Sequence, residues 1–121
     1  MRFITGGMAQ GKTAFAEQFG CPIIDDLELN IKEWMTQGMD TETEILLRIE
    51  QEIQKISTIA TPETIWMQNV VVVSREIGCG IIPIEKQEVR WRELTGRIAC
   101  MIASYADEVY KMESGIAVKI K

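Results

Sequence analysis

Apolar and polar positions follow two rhythms along this chain, and the change of rhythm marks the elements. Arg2 to Thr5 ("RFIT") is a short apolar run that predicts a buried strand. A glycine-rich turn follows, then a helix predicted over about Gly11 to Phe19, with Gly20 placed to end it. "CPIIDD" (21–26) is apolar, too short for a helix, and closed by two acids, so it reads as a second buried strand. A helix is predicted over about Leu27 to Gln37, with Gly38 as its stop signal. In 40–60, Ile45, Ile49, Ile53, Ile56 and Ala60 fall on one helical stripe, while Glu44, Arg48, Gln51, Glu52 and Lys55 lie largely on other faces. Thr41 with Glu44 fits the capping box that fixes where such a helix begins, and Pro62 punctuates its end. Core packing is the reading of that stripe.

"NVVVVS" (69–74) is the strongest strand signal, with four consecutive valines and no polar face, as in the middle of a parallel sheet. "REIGCGIIP" (75–83) reads as a glycine-punctuated loop. From Glu85 to Ala106, Trp91, Leu94, Ile98, Met101 and Tyr105 recur at steps of three and four, predicting a long amphipathic helix. "DEVYKME" and "GIAVKIK" flank Ser114-Gly115 and predict two closing strands joined by a tight turn. Strands and helices alternate throughout. The expected class is therefore α/β, a three-layer domain with a mostly parallel sheet and a carboxy-terminal hairpin, built as a single domain over 1–121.

Composition changes this picture mainly by exclusion. With 46% hydrophobic and 26% charged residues the chain is ordinarily globular. A net charge of −5 and the lack of any basic run argue against a nucleic-acid partner. The densest charge cluster, Glu85 to Arg97, is mixed in sign and reads as a solvated helix face. Cys21, Cys79 and Cys100 show no metal-site or disulfide spacing and are read as isolated thiols of a reducing compartment. No signal peptide and no apolar run of spanning length is visible, so a cytoplasmic protein without a membrane span is expected.

Candidate chemistry concentrates in "TGGMAQGKT". Gly6, Gly7, Met8, Ala9, Gln10, Gly11, Lys12 and Thr13 satisfy G-x-x-x-x-G-K-S/T, the phosphate-binding P-loop. Such a loop must wrap a phosphate with its amides turned inward, and glycines permit both the torsions and the close approach. The helix that follows adds free amides and its positive dipole end. Lys12 would reach the terminal phosphates and the Thr13 hydroxyl would take one Mg²⁺ position. The strand before and helix after are the context this motif requires. A nucleoside triphosphate, ATP or GTP, with Mg²⁺ is the expected ligand; no N-K-x-D pattern selects guanine. Asp25 and Asp26 end a neighbouring strand where an acid would orient the metal, one turned to the phosphates and the other to solvent. Each equally suits a helix-start cap.

Beyond the P-loop the chain resembles one family. "VVVVSREIGCGIIP" is similar to V-x-V-S/T-N-E-V-G-x-G-I-V-P of the adenosylcobinamide kinase / adenosylcobinamide-phosphate guanylyltransferase family. "WRELTGRI" resembles its F-R-D-x-A-G-R stretch, "ADEVYKMESGIAVKIK" its closing A-D-E-V-x-x-x-x-S-G-x-x-x-x-x-K, and "ITGGMAQGKTAFAEQ" its V-T-G-G-x-R-S-G-K-S-x-x-A-E. The resemblance implies a P-loop parallel sheet, a homo-oligomer, and a two-step role in cobalamin assembly. The first step phosphorylates the aminopropanol hydroxyl of a corrinoid, adenosylcobinamide. The second carries GMP from GTP on a histidine to that phosphate. By the same resemblance Asp25 matches the acid of a V-D-C-L-T-like segment. Glu76 matches the glutamate of N-E-V-G, and Arg92, Gly96 and Arg97 match F-R-D-x-A-G-R. Glu76 follows the carboxyl end of a buried strand, where it suits a general base, a second-sphere Mg²⁺ partner or a plain surface glutamate.

The departures are specific. The chain contains no histidine, and Gly20 leads directly into "CPIIDD" where the family has a strand and a histidine-bearing helix. Guanylyl transfer by the family's route is therefore expected to be lost. Arg75 stands for the family's asparagine, either as charge against a phosphate or as a solvent-facing arginine, and Ala99 stands where an asparagine often follows Gly-Arg. Three functions remain: a kinase of adenosylcobinamide with Lys12 and Glu76 as catalytic residues, a nucleotide-binding module without turnover, and a kinase of another small alcohol.

Overall fold

Val70 to Val73 have no polar face to offer water, and the chain buries all four on both sides of a sheet. The computed structural model describes residues 1–7, 11–77 and 85–121. Among these residues five strands form one sheet, β1 (Arg2–Gly6), β2 (Ile23–Ile24), β3 (Val71–Arg75), β4 (Glu108–Glu113) and β5 (Ile116–Lys119), in the order β2-β3-β1-β4-β5. The first four are parallel, and β5 returns antiparallel to β4. Ser114 and Gly115 both hold positive φ, 50° and 77°, as a two-residue hairpin turn demands.

Alternation along the strands divides the core in two. Ile4, Val71, Val73 and Met112 face one side, where helix α1 (Lys12–Glu17) lies with Ala16 against them. Phe3, Val72 and Val109 face the other, under α2 (Leu27–Thr36), α3 (Glu42–Ile56) and α4 (Lys86–Tyr105). Helix, sheet and helices make the three layers expected of the α/β class. Among the described residues no helix is long and apolar enough to cross a membrane.

The helix boundaries show where spacing sufficed and where it did not. Thr41 caps α3 as predicted: its hydroxyl accepts the Glu44 N–H at 3.2 Å and donates to the Glu44 carboxylate at 2.8 Å. Ile45, Ile49 and Ile53 are fully buried, but α3 ends at Ile56, which is 38% exposed. Ser57 turns extended there, and Ala60 reaches the core through the following turn rather than along the helix. In α4 the buried stripe is Trp91, Leu94, Thr95, Ile98 and Ile102. Met101 lies to one side of it, and Tyr105, in the last turn, is exposed and stacks on Trp66 with ring centroids 4.9 Å apart. Helix α1 stops at Glu17 and closes through turns to Gly20, whose φ is +65°. Of the predicted loop 75–83, residues 78–83 lie outside the described residues, as does Cys79; Cys21 and Cys100 are free thiols.

Two stability predictions follow from these elements. Gly96 sits exposed within α4, and a Cβ there would meet nothing within 4 Å. Gly96→Ala is expected to stabilise the chain by about 0.5–1 kcal/mol, read as a higher denaturant midpoint at unchanged slope. On β4, the Tyr110 hydroxyl, then Lys119 and Arg2, hold the Glu108 carboxyl down to about 2 from its usual 4.5. Ionised Glu108 therefore favours the folded chain above its unfolded pKa, and that contribution drains away as pH falls from 4.5 to about 2. Glu108→Gln cannot titrate, so its denaturant midpoint is expected to fall less steeply than the parent's across that window. Equal slopes would remove Glu108 from the acid response.

Candidate functional site

Strand β1 runs out between β3 and β4, and its last residue is a glycine for a steric reason. Gly6 has φ +151°, and a Cβ on it would lie 2.7 Å from the Met112 carbonyl oxygen. Gly11, at φ +81°, leads into α1. Met8, Ala9 and Gln10, the middle of the predicted phosphate loop, lie outside the described residues. The flanks are informative. The Lys12 ammonium donates back to the Gly7 carbonyl at 2.6 Å, so the side chain folds back toward the residue that follows β1.

Thr13 and Asp25 meet. The Thr13 hydroxyl donates to Asp25 Oδ2 at 2.9 Å, while Asp25 Oδ1 accepts the Asp26 N–H at 2.8 Å and the Asn30 amide donates to the Asp25 carbonyl. Asp25 is thereby turned toward Thr13, while Asp26 is exposed. Neither acid is the side-chain cap of α2: Asp26 occupies the cap position at φ +50° and its carboxylate caps nothing. A cleft of about 290 Å³ opens beside Lys12 and Thr13, with Asp25, Asp26, Glu28 and Arg75 in its walls.

The connections from β1 and β3 leave on opposite faces of the sheet, through α1 and α4, so the strand ends of this adjacent pair flank the cleft where such sheets bind ligands. Alternation then separates two neighbours. Arg75 follows Val71 and Val73 on the α1 side and lines the cleft, whereas Glu76 does not. The Glu76 N–H donates to the Gly6 carbonyl at 2.8 Å, and its carboxylate lies 3.7 Å from the Lys111 ammonium. Glu76, then Glu113 at 3.4 Å, raise the Lys111 pKa above the ordinary lysine value.

Arg92, Gly96 and Arg97 all lie on α4 and none lines the cleft. Arg92 lies 4.0 Å from Glu88, Arg97 3.5 Å from Glu42, and Ala99 packs at the margin of the core. Glu28 escaped the sequence reading. It is only 3% exposed, and its carboxylate accepts the Arg75 N–H at 2.7 Å while its carbonyl accepts the Trp91 indole N–H at 2.8 Å. The available signal was a charged residue on the inward stripe of α2, in register with Leu27, Ile31 and Trp34.

The Thr13 hydroxyl and the Asp25 carboxylate are hard oxygen donors already side by side, which suits Mg²⁺. Among the described residues no group of three or more His, Cys, Asp or Glu gathers. A Mg²⁺ held by this pair would take its other ligands from phosphate and water, as that ion does beside nucleotides.

Comparison with known proteins gives the chain a family. The family model described as cobinamide kinase / cobinamide phosphate guanyltransferase matches residues 18–120, beginning just after the predicted phosphate loop. The bifunctional adenosylcobalamin biosynthesis protein CobU of Escherichia coli (strain K12) is 37% identical over 89 residues, 74% of this chain. Its Salmonella typhimurium counterpart is 44% identical over 52 residues, 43% of the chain. The matched stretches span 44% and 29% of those two relatives. By this match the chain belongs to the cobinamide kinase / cobinamide phosphate guanyltransferase family.

Proposed function

We propose that this chain is a nucleoside-triphosphate-dependent kinase of a corrinoid alcohol, adenosylcobinamide, that performs no guanylyl transfer through a histidine. The reading is carried by the Lys12–Thr13–Asp25 constellation at the end of β1, in a chain of this family that contains no histidine. Phosphoryl transfer needs positioning and charge stabilisation more than covalent help, which a small scaffold can provide.

In this reading Gly6, Gly7, Met8, Ala9, Gln10 and Gly11 wrap the phosphates of ATP or GTP. Lys12 turns from the Gly7 carbonyl to the terminal phosphates. Thr13 and Asp25 hold Mg²⁺, which supplies charge neutralisation when bound. The acceptor oxygen bonds to the γ-phosphorus as that atom's bond to the β–γ bridging oxygen breaks. The diphosphate leaves with the bonding electrons, and Glu76 takes the hydroxyl proton. Since the Glu76 carboxylate lies by Lys111, the acceptor approaches over the strand ends of β3, β1 and β4, opposite α1.

The same ion pair favours a second reading. A Glu76 that stays committed to Lys111 leaves a nucleotide-binding module without turnover. Incubation with adenosylcobinamide, Mg²⁺ and ATP or GTP, followed by mass spectrometry of the corrinoid, separates the two. The expected result is one added phosphate, abolished by chelating Mg²⁺ and reduced at least about 100-fold in Lys12→Ala. Lys12-dependent nucleotide binding without product from either nucleotide would overturn the kinase and leave the module. Product from another small alcohol in an acceptor screen, with none from adenosylcobinamide, would reassign the substrate.

A further inference from the structure

Strand β2 is two residues long and pairs only with Val71 and Val72 of β3. The Val71 N–H points to that side, donating to the Pro22 carbonyl, so by alternation the Arg75 N–H points there too, past the end of β2. A partly buried amide with no strand beside it is best satisfied by another acceptor. Glu28 supplies it, reaching from the first turn of α2 to accept that N–H at 2.7 Å. A side chain therefore completes the ladder where the main chain stops, and it fixes the residue that follows Ser74.

What it fixes is a cation facing the cleft. The Arg75 side chain borders the same space as Lys12, Thr13 and Asp25. Across β1 its register partner is Gly6, which has no side chain to block it. Among the described residues its guanidinium has no carboxylate partner, although Asp25, Asp26 and Glu28 share the cleft. The Asp25 carboxylate is occupied by Thr13 and the Asp26 N–H, and that of Glu28 by the Arg75 main chain. An arginine presents a planar fork of donors matched to phosphate oxygens.

We propose that Arg75 reads the terminal phosphate of a bound nucleoside triphosphate and sets a preference for triphosphate over diphosphate, with Glu28 as its positioning residue. The assignment rests on the nucleotide-binding reading of the loop. Arg75 belongs at the terminal end because it shares the cleft with Thr13 and Asp25, the pair that would hold Mg²⁺ and so supply charge neutralisation for the outer phosphates. Contacts to the inner phosphates fall to the loop amides and the α1 end, which a diphosphate also uses.

Calorimetric titration of the full chain tests this, using Mg²⁺ with a non-hydrolysable β,γ-imido triphosphate and, separately, the matching diphosphate. Arg75→Ala is expected to weaken the triphosphate about tenfold or more and the diphosphate by no more than about twofold. Arg75→Lys recovers part of the difference. Glu28→Gln, whose amide oxygen still accepts the Arg75 N–H, keeps the triphosphate-to-diphosphate ratio, and Glu28→Leu lowers that ratio toward the Arg75→Ala value. A merely structural Glu28 would weaken both nucleotides alike. A ratio unchanged in Arg75→Ala, in protein whose binding is still lost in Lys12→Ala, overturns the assignment of Arg75 alone. Parent protein that binds neither nucleotide overturns the nucleotide reading, and this one with it.

Discussion

The meeting of Gly6 with β4 is the contact on which the rest of the chain's arrangement turns. Strand β1 is flanked on both sides along its whole length, by β3 and by β4, all running the same way. At its last residue the space for a side chain is taken by the Met112 main chain. The chain must leave the sheet there, and it leaves with a backbone torsion that few residues other than glycine adopt. A packing constraint thereby releases the chain from the sheet at the carboxyl ends of three parallel strands. Chemistry is possible there because those ends carry the polar residues that the buried strand middles cannot.

Around that exit the charges are arranged in layers of commitment. Asp25 is tied to Thr13 and to its own neighbour's amide, and Glu28 to the amide of Arg75. Glu76 stands across the sheet with Lys111. A lysine held by a carbonyl and an arginine held by its main chain bring two cations to a cleft that also carries Asp25, Asp26 and Glu28. Net charge reports on the surface at large and does not give the local balance of one cleft.

Most of the fold was legible because its signals are short-range. Four valines in a row, a Thr-x-x-Glu cap, and Ser-Gly between two strand-like runs each encode local geometry, and each appears where the spacing puts it. The misjudged boundaries, Ile56 to Ala60 in α3 and Met101 with Tyr105 in α4, arose where tertiary surroundings decide. Periodicity cannot say where the neighbouring layer ends. The site was legible as residue types but not as directions. Arg75 and Glu76 are adjacent in sequence and lie on opposite faces, which the period of two implies once the strand is known to run as far as Arg75. Glu28 was invisible because its partner is a main-chain amide 47 residues away, exposed only by the shortness of β2.

Trp91 gives that arrangement an optical reading. Its indole is almost wholly enclosed, its N–H ends on the carbonyl of Glu28, and the Lys32 ammonium sits 4.6 Å from the ring centroid. Both the hydrogen bond and the nearby charge that tune its emission come from α2, although the ring itself is carried by α4. The first turn of α2 is thus wired to a native fluorophore. Any ligand that draws Glu28 or Arg75 toward the cleft reports itself as a change of colour or intensity in unlabelled protein.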